Sequence, residues 1–317
     1  MKCPYCGQEH PDNAKFCMET GQKLEPQKRA CQNRECPDFG AAILPLEAKF
    51  CPRCGHPVGG ASESVSMNPG ILEFEVKNVS FKMILVEHGT FTMGANFEQK
   101  KSWKNFFHGP WKDEKPAHEV SFTKDYYMGE TQVTNALWGA VMGDFPSRFR
   151  TWSIGKRPVE TVSWDDCQKF IRELNRKLRS QLHGKSFRLP TEAEWEFAAR
   201  GGNKSCGYQF SGSDDLDEVA CYSGNSNDET CDVASFEPNE LGFYDMSGNV
   251  CEWCLDLYGG YNRSAQTDPQ GPSCGSHRVA RGGCWYYGVR ACRLSCRHDY
   301  CPDFRFNFLG LRLALSE

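Results

Sequence analysis

Apolar positions recur at distinct spacings along the chain, and each spacing predicts a different element. From Ser163 onward Cys167, Phe170, Ile171, Leu174 and Leu178 fall three or four residues apart, one stripe that predicts an amphipathic helix. Thr191 followed by Glu194 reads as a capping box; it predicts a second helix running to Ala199, with Gly201 suited to its C-terminal end. Phe81–Val86 is an apolar run of strand length. At the C-terminus Leu309, Leu311, Leu313 and Leu315 alternate with Phe308, Gly310, Arg312 and Ala314, which predicts one strand with one buried face. Between Gly201 and Gly283 periodicity fades while Gly, Asn, Asp and Ser accumulate, the pattern of a long loop region. Two helices, scattered strands and an irregular middle place the chain in the α+β class.

Composition adds a division. The 317 residues carry a net charge of -4, which gives no reason to expect nucleic acid or an anionic membrane as partner. No apolar run reaches the roughly 18 residues of a membrane helix, and no signal-peptide pattern follows Met1, so a soluble cytoplasmic protein is expected. The 18 cysteines are unevenly placed: seven precede Gly55 and the next is Cys167. Without an export signal they are expected to be metal ligands or reduced thiols, including the scattered set from Cys167 to Cys274. The stretch GGASESVSMNPG (59–70) has linker composition. The expected domains are 1–58, a linker over 59–75, and 76–317.

The first domain repeats itself, CPYCG…AKFCMETG and then CQNRECP…AKFCPRCG. Each half is too short to bury a core, so a metal staple is expected. Cys31, Cys36, Cys51 and Cys54 form two close pairs, the donor set of a tetrahedral Zn(II) site. In the first half Cys3, Cys6 and Cys17 are present but Thr20 stands where a fourth Cys belongs; either His10 completes a second zinc site or this half is degenerate. Both halves resemble bacterial double zinc ribbons. With eight Lys and Arg against seven Asp and Glu up to Gly60, a structural or protein-contact role is favoured over nucleic-acid binding.

The larger domain contains, in order, FTMG (91–94), EKPAHEVSF (114–122), ETQVTNALWGAVMG (130–143), RPVETVSWDDCQKF (157–170), FRLPTEAEWEFAARGG (187–202), NELGFYDMSGNVCEW (239–253), RVARGGCW (278–285) and LGLRLA (309–314). This series resembles the formylglycine-generating enzyme, or sulfatase-modifying factor, family over nearly all of 76–317. The resemblance implies a C-type lectin-like fold: a small twisted sheet, two helices and long ordered loops. Trp195, Trp253 and Trp285 are expected in the core. Gly242, Gly248, Gly282 and Gly283 are expected to supply positive backbone dihedrals or close approaches. Asp245, Gly248, Val250 and Glu252 match family positions that bind Ca(II), the middle two through carbonyls; the alternative is that both carboxylates only hydrogen-bond the loop.

The family's enzyme uses a copper-bound cysteine pair four and nine residues after the Gly-Gly that is here Gly282-Gly283. Gapless counting puts Tyr287 and Cys292 there, and a phenol cannot replace a soft Cu(I) ligand. Cys296 and Cys301 have the pair's separation but lie too late. The tail instead resembles the variable region of retroelement-diversified proteins, a non-catalytic branch of the same fold, in which adenines of Asn codons at set sites are miscopied. Framework positions are kept at Trp285, Arg290, Cys292, Arg293, Ser295, Arg297, Pro302, Asp303, Arg305, Leu309, Gly310 and Arg312. The variable slots hold Tyr286, Tyr287, Gly288, Ala291, His298, Asp299, Tyr300, Cys301, Phe304, Phe306, Asn307 and Phe308, every one reachable from AAY by adenine changes alone. Aromatics mixed with small polar residues are the composition of adaptable recognition loops.

The expected protein is therefore a non-catalytic binder. It displays a diversified face at about 281–313 to a macromolecular ligand, expected to be a protein, with Zn(II) in the ribbons and a candidate Ca(II) site. The competing readings are a copper-dependent oxidase of peptidyl cysteine and a catalytically dead structural or regulatory member.

Overall fold

The chain divides into two units, Met1–Asn68 and Pro69–Glu317. The computed structural model describes residues 70–95, 111–149 and 155–316, all in the second unit. The zinc-ligand candidates Cys3, Cys6, His10, Cys17, Cys31, Cys36, Cys51 and Cys54 lie outside the described residues. In chain order the elements are β1 (Ile71–Val76), β2 (Val79–Val86), β3 (Thr90–Met93), β4 (His118–Ser121), β5 (Tyr126–Gly129), α1 (Asn135–Met142), α2 (Trp164–Leu178), β6 (Ser186–Arg188), α3 (Glu192–Ala199), α4 (Leu216–Val219), β7 (Cys251–Leu257), β8 (Gln266–Thr267), β9 (Arg278–Arg281), β10 (Arg297–Tyr300), β11 (Leu309–Leu311) and β12 (Ala314–Ser316). They form a five-stranded sheet β1-β2-β5-β12-β6, a four-stranded sheet β10-β9-β7-β11, and a three-stranded sheet β3-β4-β8.

Helix α2 is the one the stripe predicts. Ser163 caps it reciprocally with Asp166, and its buried residues are Cys167, Phe170, Ile171, Leu174 and Leu178. Trp138 of α1 stacks on Phe170 with centroids 4.9 Å apart, tying the two helices into one core. Helix α3 has the predicted capping box at Thr191 and Glu194 and ends before Gly201 at φ 87°. Unlike α2 it is buried on every side. A helix hydrophobic all round is expected at such a place, yet this one carries Glu192, Glu194 and Glu196.

Three expectations about elements need correction. The stretch expected to be linker up to residue 75 already contains β1, joined to β2 through Lys77 and Asn78, both at positive φ, in a two-residue hairpin turn. The loop-rich middle contains β7, whose residues Cys251–Cys254 are all buried; a strand covered on both faces shows no alternation to read. The C-terminal leucines form two strands in two different sheets, not one, and both of their faces are buried. Arg312, expected on a solvated face, has no exposure because Glu252 and three backbone carbonyls satisfy it.

The cysteine expectation is also corrected. Cys221 and Cys231 are disulfide-bonded, their Cα atoms 6.3 Å apart. Asn249 brings them together: its N–H donates to the Cys221 carbonyl, and its side chain bonds the Cys231 backbone in both directions. Cys167, Cys251 and Cys254 are buried free thiols, and Cys206 and Cys274 are exposed ones.

Candidate binding face

Apart from β10 and β11 the tail from Arg281 to Arg312 is irregular, but arginines pin it at intervals to carboxylates far away in sequence. Arg281 pairs with Glu196 and donates to the carbonyls of Leu294, Ser295 and Cys296 at 3.0, 3.1 and 2.7 Å. Arg293 forms a two-armed bond to Glu114 at 2.6 and 2.9 Å, and the Ser295 hydroxyl donates to the same carboxylate. Burial raises the Glu114 pKa, but these bonds and the Arg293 charge outweigh it and hold the group below the usual carboxylate range. Arg297 binds both oxygens of Glu192 at 2.6 and 2.7 Å and lies over the Tyr261 ring at 3.9 Å. Arg305 pairs with Asp166 at 2.7 Å. Arg312 donates to Glu252, whose other oxygen accepts from the Trp195 indole at 2.6 Å. Two-armed guanidinium–carboxylate pairs fix direction as well as distance, so the loops between the short strands β10 and β11 are aimed without a ladder of their own.

Most slot side chains fall outside this clamp. Tyr286 and Phe306 are 60% and 47% exposed, and Gly288, Asp299 and Cys301 are exposed as well. Tyr287, His298, Tyr300, Phe304 and Asn307 are half-buried. The rings form a continuous string. Tyr287 stacks on His298 at 5.1 Å, Tyr300 on Phe304 at 5.1 Å, Phe304 on Phe306 at 5.9 Å, and Phe306 meets Phe308 at 4.7 Å. The hydroxyls of Tyr287 and Tyr300 are hydrogen-bonded at 2.9 Å. Ala291 and Phe308 are instead buried: Ala291 lies in the turn over Gly283, where its carbonyl leaves no room for a Cβ, and Phe308 lies beneath Tyr287 and Tyr300. Those two cannot contribute to a surface directly.

The face carries little charge. Burial and the nearby Arg281 charge push His298 down to about 4, so its imidazole is neutral at pH 7. Burial pushes the Tyr287 phenol up to about 12. Beside Tyr287 and His298 an open hollow of about 590 Å³ is walled by Trp111 and Arg290, the guanidinium lying 4.7 Å from the indole. Trp111 was not singled out in the sequence; nothing in its polar surroundings marks it. Phe149, which meets Trp285 edge-on at 5.3 Å, was missed for the same reason.

The expected core residues are where they were placed. Trp195, Trp253 and Trp285 are buried, and Gly242, Gly248, Gly282 and Gly283 have φ of 94, 88, 96 and 72°. At Gly248 an added Cβ would lie 2.3 Å from the Cys221 carbonyl oxygen, so the position excludes any side chain.

The calcium candidates do come together, but around a side chain. The carbonyls of Asp245, Gly248 and Val250 and one oxygen of Glu252 lie 3.2, 3.5, 2.8 and 2.9 Å from Gln132 Nε2. The Asp245 carboxylate turns away and accepts from the Ala234 N–H, and burial raises its pKa to about 6. Glu252 is already neutralised by Arg312. In this structure the four oxygens are met by the Gln132 amide, and Glu252 is met by the Arg312 guanidinium as well. The Asp245 carboxylate here follows the alternative reading, a hydrogen bond to the loop backbone.

The sulfatase-modifying factor enzyme 1-like domain model matches residues 72–317. The chain belongs to that family. A double zinc ribbon model matches residues 3–55. Chaperone protein LppX of Paenibacillus barcinonensis is 32% identical, covering 61% of this chain and 81% of that protein. The formylglycine-generating enzyme of Streptomyces coelicolor is 34% identical over 50% of this chain, which spans about half, 52%, of that enzyme. Among solved structures, Treponema denticola variable protein 1 superposes with a TM-score of 0.68 at 32% identity, covering 77% of this chain and 98% of that one. The family member described here thus has the C-type lectin-like fold its motifs imply, preceded by a double zinc ribbon.

Proposed function

We propose that this family member is a non-catalytic binding protein whose face, built from the slots between Arg281 and Leu313, is diversified by a retroelement and recognises a protein ligand. The observation that carries the reading is the partition of the tail. Arginines at positions 281, 293, 297 and 312 are buried and ion-paired, while Tyr286, Gly288, Asp299, Cys301 and Phe306 point outward between them. A face that must vary needs side chains that bear none of the fold's load. Exposed tyrosine and phenylalanine on fixed backbone give large contact area at small entropy cost. A protein ligand suits this face better than nucleic acid, because the slots offer aromatics and Asp299 but no cationic side chain for phosphate. The likeness to Treponema denticola variable protein 1 supports the same reading.

Copper chemistry is less well served. The position of the first ligand is held by Tyr287, whose hydroxyl bonds Tyr300, and Cys292 is buried with burial pushing its thiol up. The double zinc ribbon match supports zinc in this unit; Cys31, Cys36, Cys51 and Cys54 would hold one ion, and either His10 completes a second site with Cys3, Cys6 and Cys17 or that half is degenerate.

A library randomised at the exposed and half-buried slots on an otherwise unchanged chain tests the proposal. Selection against a panel of folded proteins should return binders that differ at the slots and melt within a few degrees of the parent. A library that stays folded yet yields no binder to any target would overturn it.

A further inference from the structure

Strands β9 and β10 run antiparallel with Tyr300 opposite Arg278. One residue further on, the same register sets Cys301 opposite His277, and side chains so placed touch. The Cys301 sulfur lies 3.4 Å from His277 Nε2, and the Ser276 hydroxyl lies 3.1 Å from Nδ1 of the same ring. Both backbones are held: the His277 carbonyl accepts from the Tyr258 N–H, and the Cys301 carbonyl accepts from the Phe304 N–H. Nucleophile, base and orienting group therefore stand in line, with the sulfur open to solvent.

We infer that Cys301, His277 and Ser276 form a nucleophilic thiol site that exchanges with accessible disulfides. His277 Nε2 takes the Cys301 proton. The thiolate attacks one sulfur of the disulfide, the S–S bond breaks, and the departing thiolate takes the proton back from the imidazolium. One thiol and one disulfide become a mixed disulfide and a new thiol, with no external oxidant. The other imidazole–thiol pair, His298 and Cys296 at 3.6 Å, cannot do this, because Cys296 is buried and burial disfavours both charged forms. The inference does not depend on the face binding a macromolecule, and it concerns a residue that no family motif supplies.

The described residues contain two further exposed free thiols, Cys206 and Cys274, which serve as internal references. The full chain is treated at pH 7 with 5,5′-dithiobis(2-nitrobenzoate) and separately with glutathione disulfide, quenched at intervals, and mapped by peptide mass spectrometry. An ordinary thiol is only a few per cent thiolate at pH 7, which leaves room for roughly a tenfold acceleration by a paired base. Cys301 should react about tenfold faster than Cys206 and Cys274 with both reagents. His277→Ala should bring it down to their rate, and Ser276→Ala should cost about two- to threefold. Ser276 is exposed and His277 half-buried, and neither substitution removes a backbone hydrogen bond, so melting should stay within a few degrees and confirm that the comparison is between folded proteins. Equal rates at the three cysteines, or an unchanged Cys301 rate in His277→Ala, would overturn the inference.

Discussion

Arg297→Ala is the substitution that separates framework from slot most sharply. Arg297 is 3% exposed and donates to both oxygens of Glu192, to the Asp113 carbonyl at 3.1 Å and to the Gly259 carbonyl at 2.9 Å. Its guanidinium also lies over the rings of Tyr261 and Tyr258 at 3.9 and 4.7 Å. Removing it leaves a carboxylate that is 4% exposed with, among the described residues, only Arg281 at 3.5 Å as a cationic neighbour. Breaking a buried ion pair from one side costs about 3–5 kcal/mol, chiefly because the remaining charge is stranded. For a domain of this size each kcal/mol lowers melting by about 2–4 °C, so a fall on the order of 10 °C is expected. Tyr286→Ser, at a neighbouring slot 60% exposed, should change stability by less than about 1 kcal/mol. Urea titration of both variants beside the parent decides the matter. If Arg297→Ala costs under about 1 kcal/mol, or no more than Tyr286→Ser, the tail is not organised as a clamped framework carrying dispensable slots.

Other outcomes follow from single features. Burial, with the Glu192 charge beside it, raises Asp256 to about 7, so its native carboxyl holds a proton that the unfolded chain releases near 4. That contribution to stability is complete below about pH 4 and is lost as pH rises through 7; Asp256→Asn should flatten urea midpoints between pH 4 and 8, and an unchanged profile would count against it. Replacing Cys221 and Cys231 together by Ser opens a loop spanning a sequence separation of 10 and should cost about 2.5–3 kcal/mol, checked after non-reducing mass mapping of the parent. Millimolar calcium should leave melting unchanged, since Gln132 Nε2 already meets the four oxygens; a rise of several degrees would show an ion displacing it. Plasma emission analysis should find one zinc ion lost in Cys54→Ser; a further ion lost in His10→Ala would assign His10 as its ligand, and unchanged zinc there would mark the first half as degenerate.

Local rules carried the regular elements. The α2 stripe, the Thr191–Glu194 capping box and the turn glycines were legible because propensity and burial agree at those residues. Legibility failed wherever burial came from both sides or from charge pairing. β7 is covered on two faces, and Arg312 reads as polar in any pattern, yet it sits in the core because Glu252 meets it. No spacing rule connects Glu114 to Arg293 or Glu192 to Arg297, although the motif stretches containing all four residues were visible. For the face, slots read by position could not show that Ala291 and Phe308 turn inward or that Trp111 joins from a distant segment.

The DNA around the gene tests diversification most directly. A reverse transcriptase gene should lie nearby, with a second near-copy of the stretch encoding 281–313. The two copies should differ at adenines of the near-copy, concentrated in the codons for Tyr286, Tyr287, Gly288, His298, Asp299, Tyr300, Cys301, Phe304, Phe306 and Asn307 and sparing those for Arg293, Arg297 and Arg312. No such copy, or differences spread evenly over slot and arginine codons alike, would contradict a face built to vary.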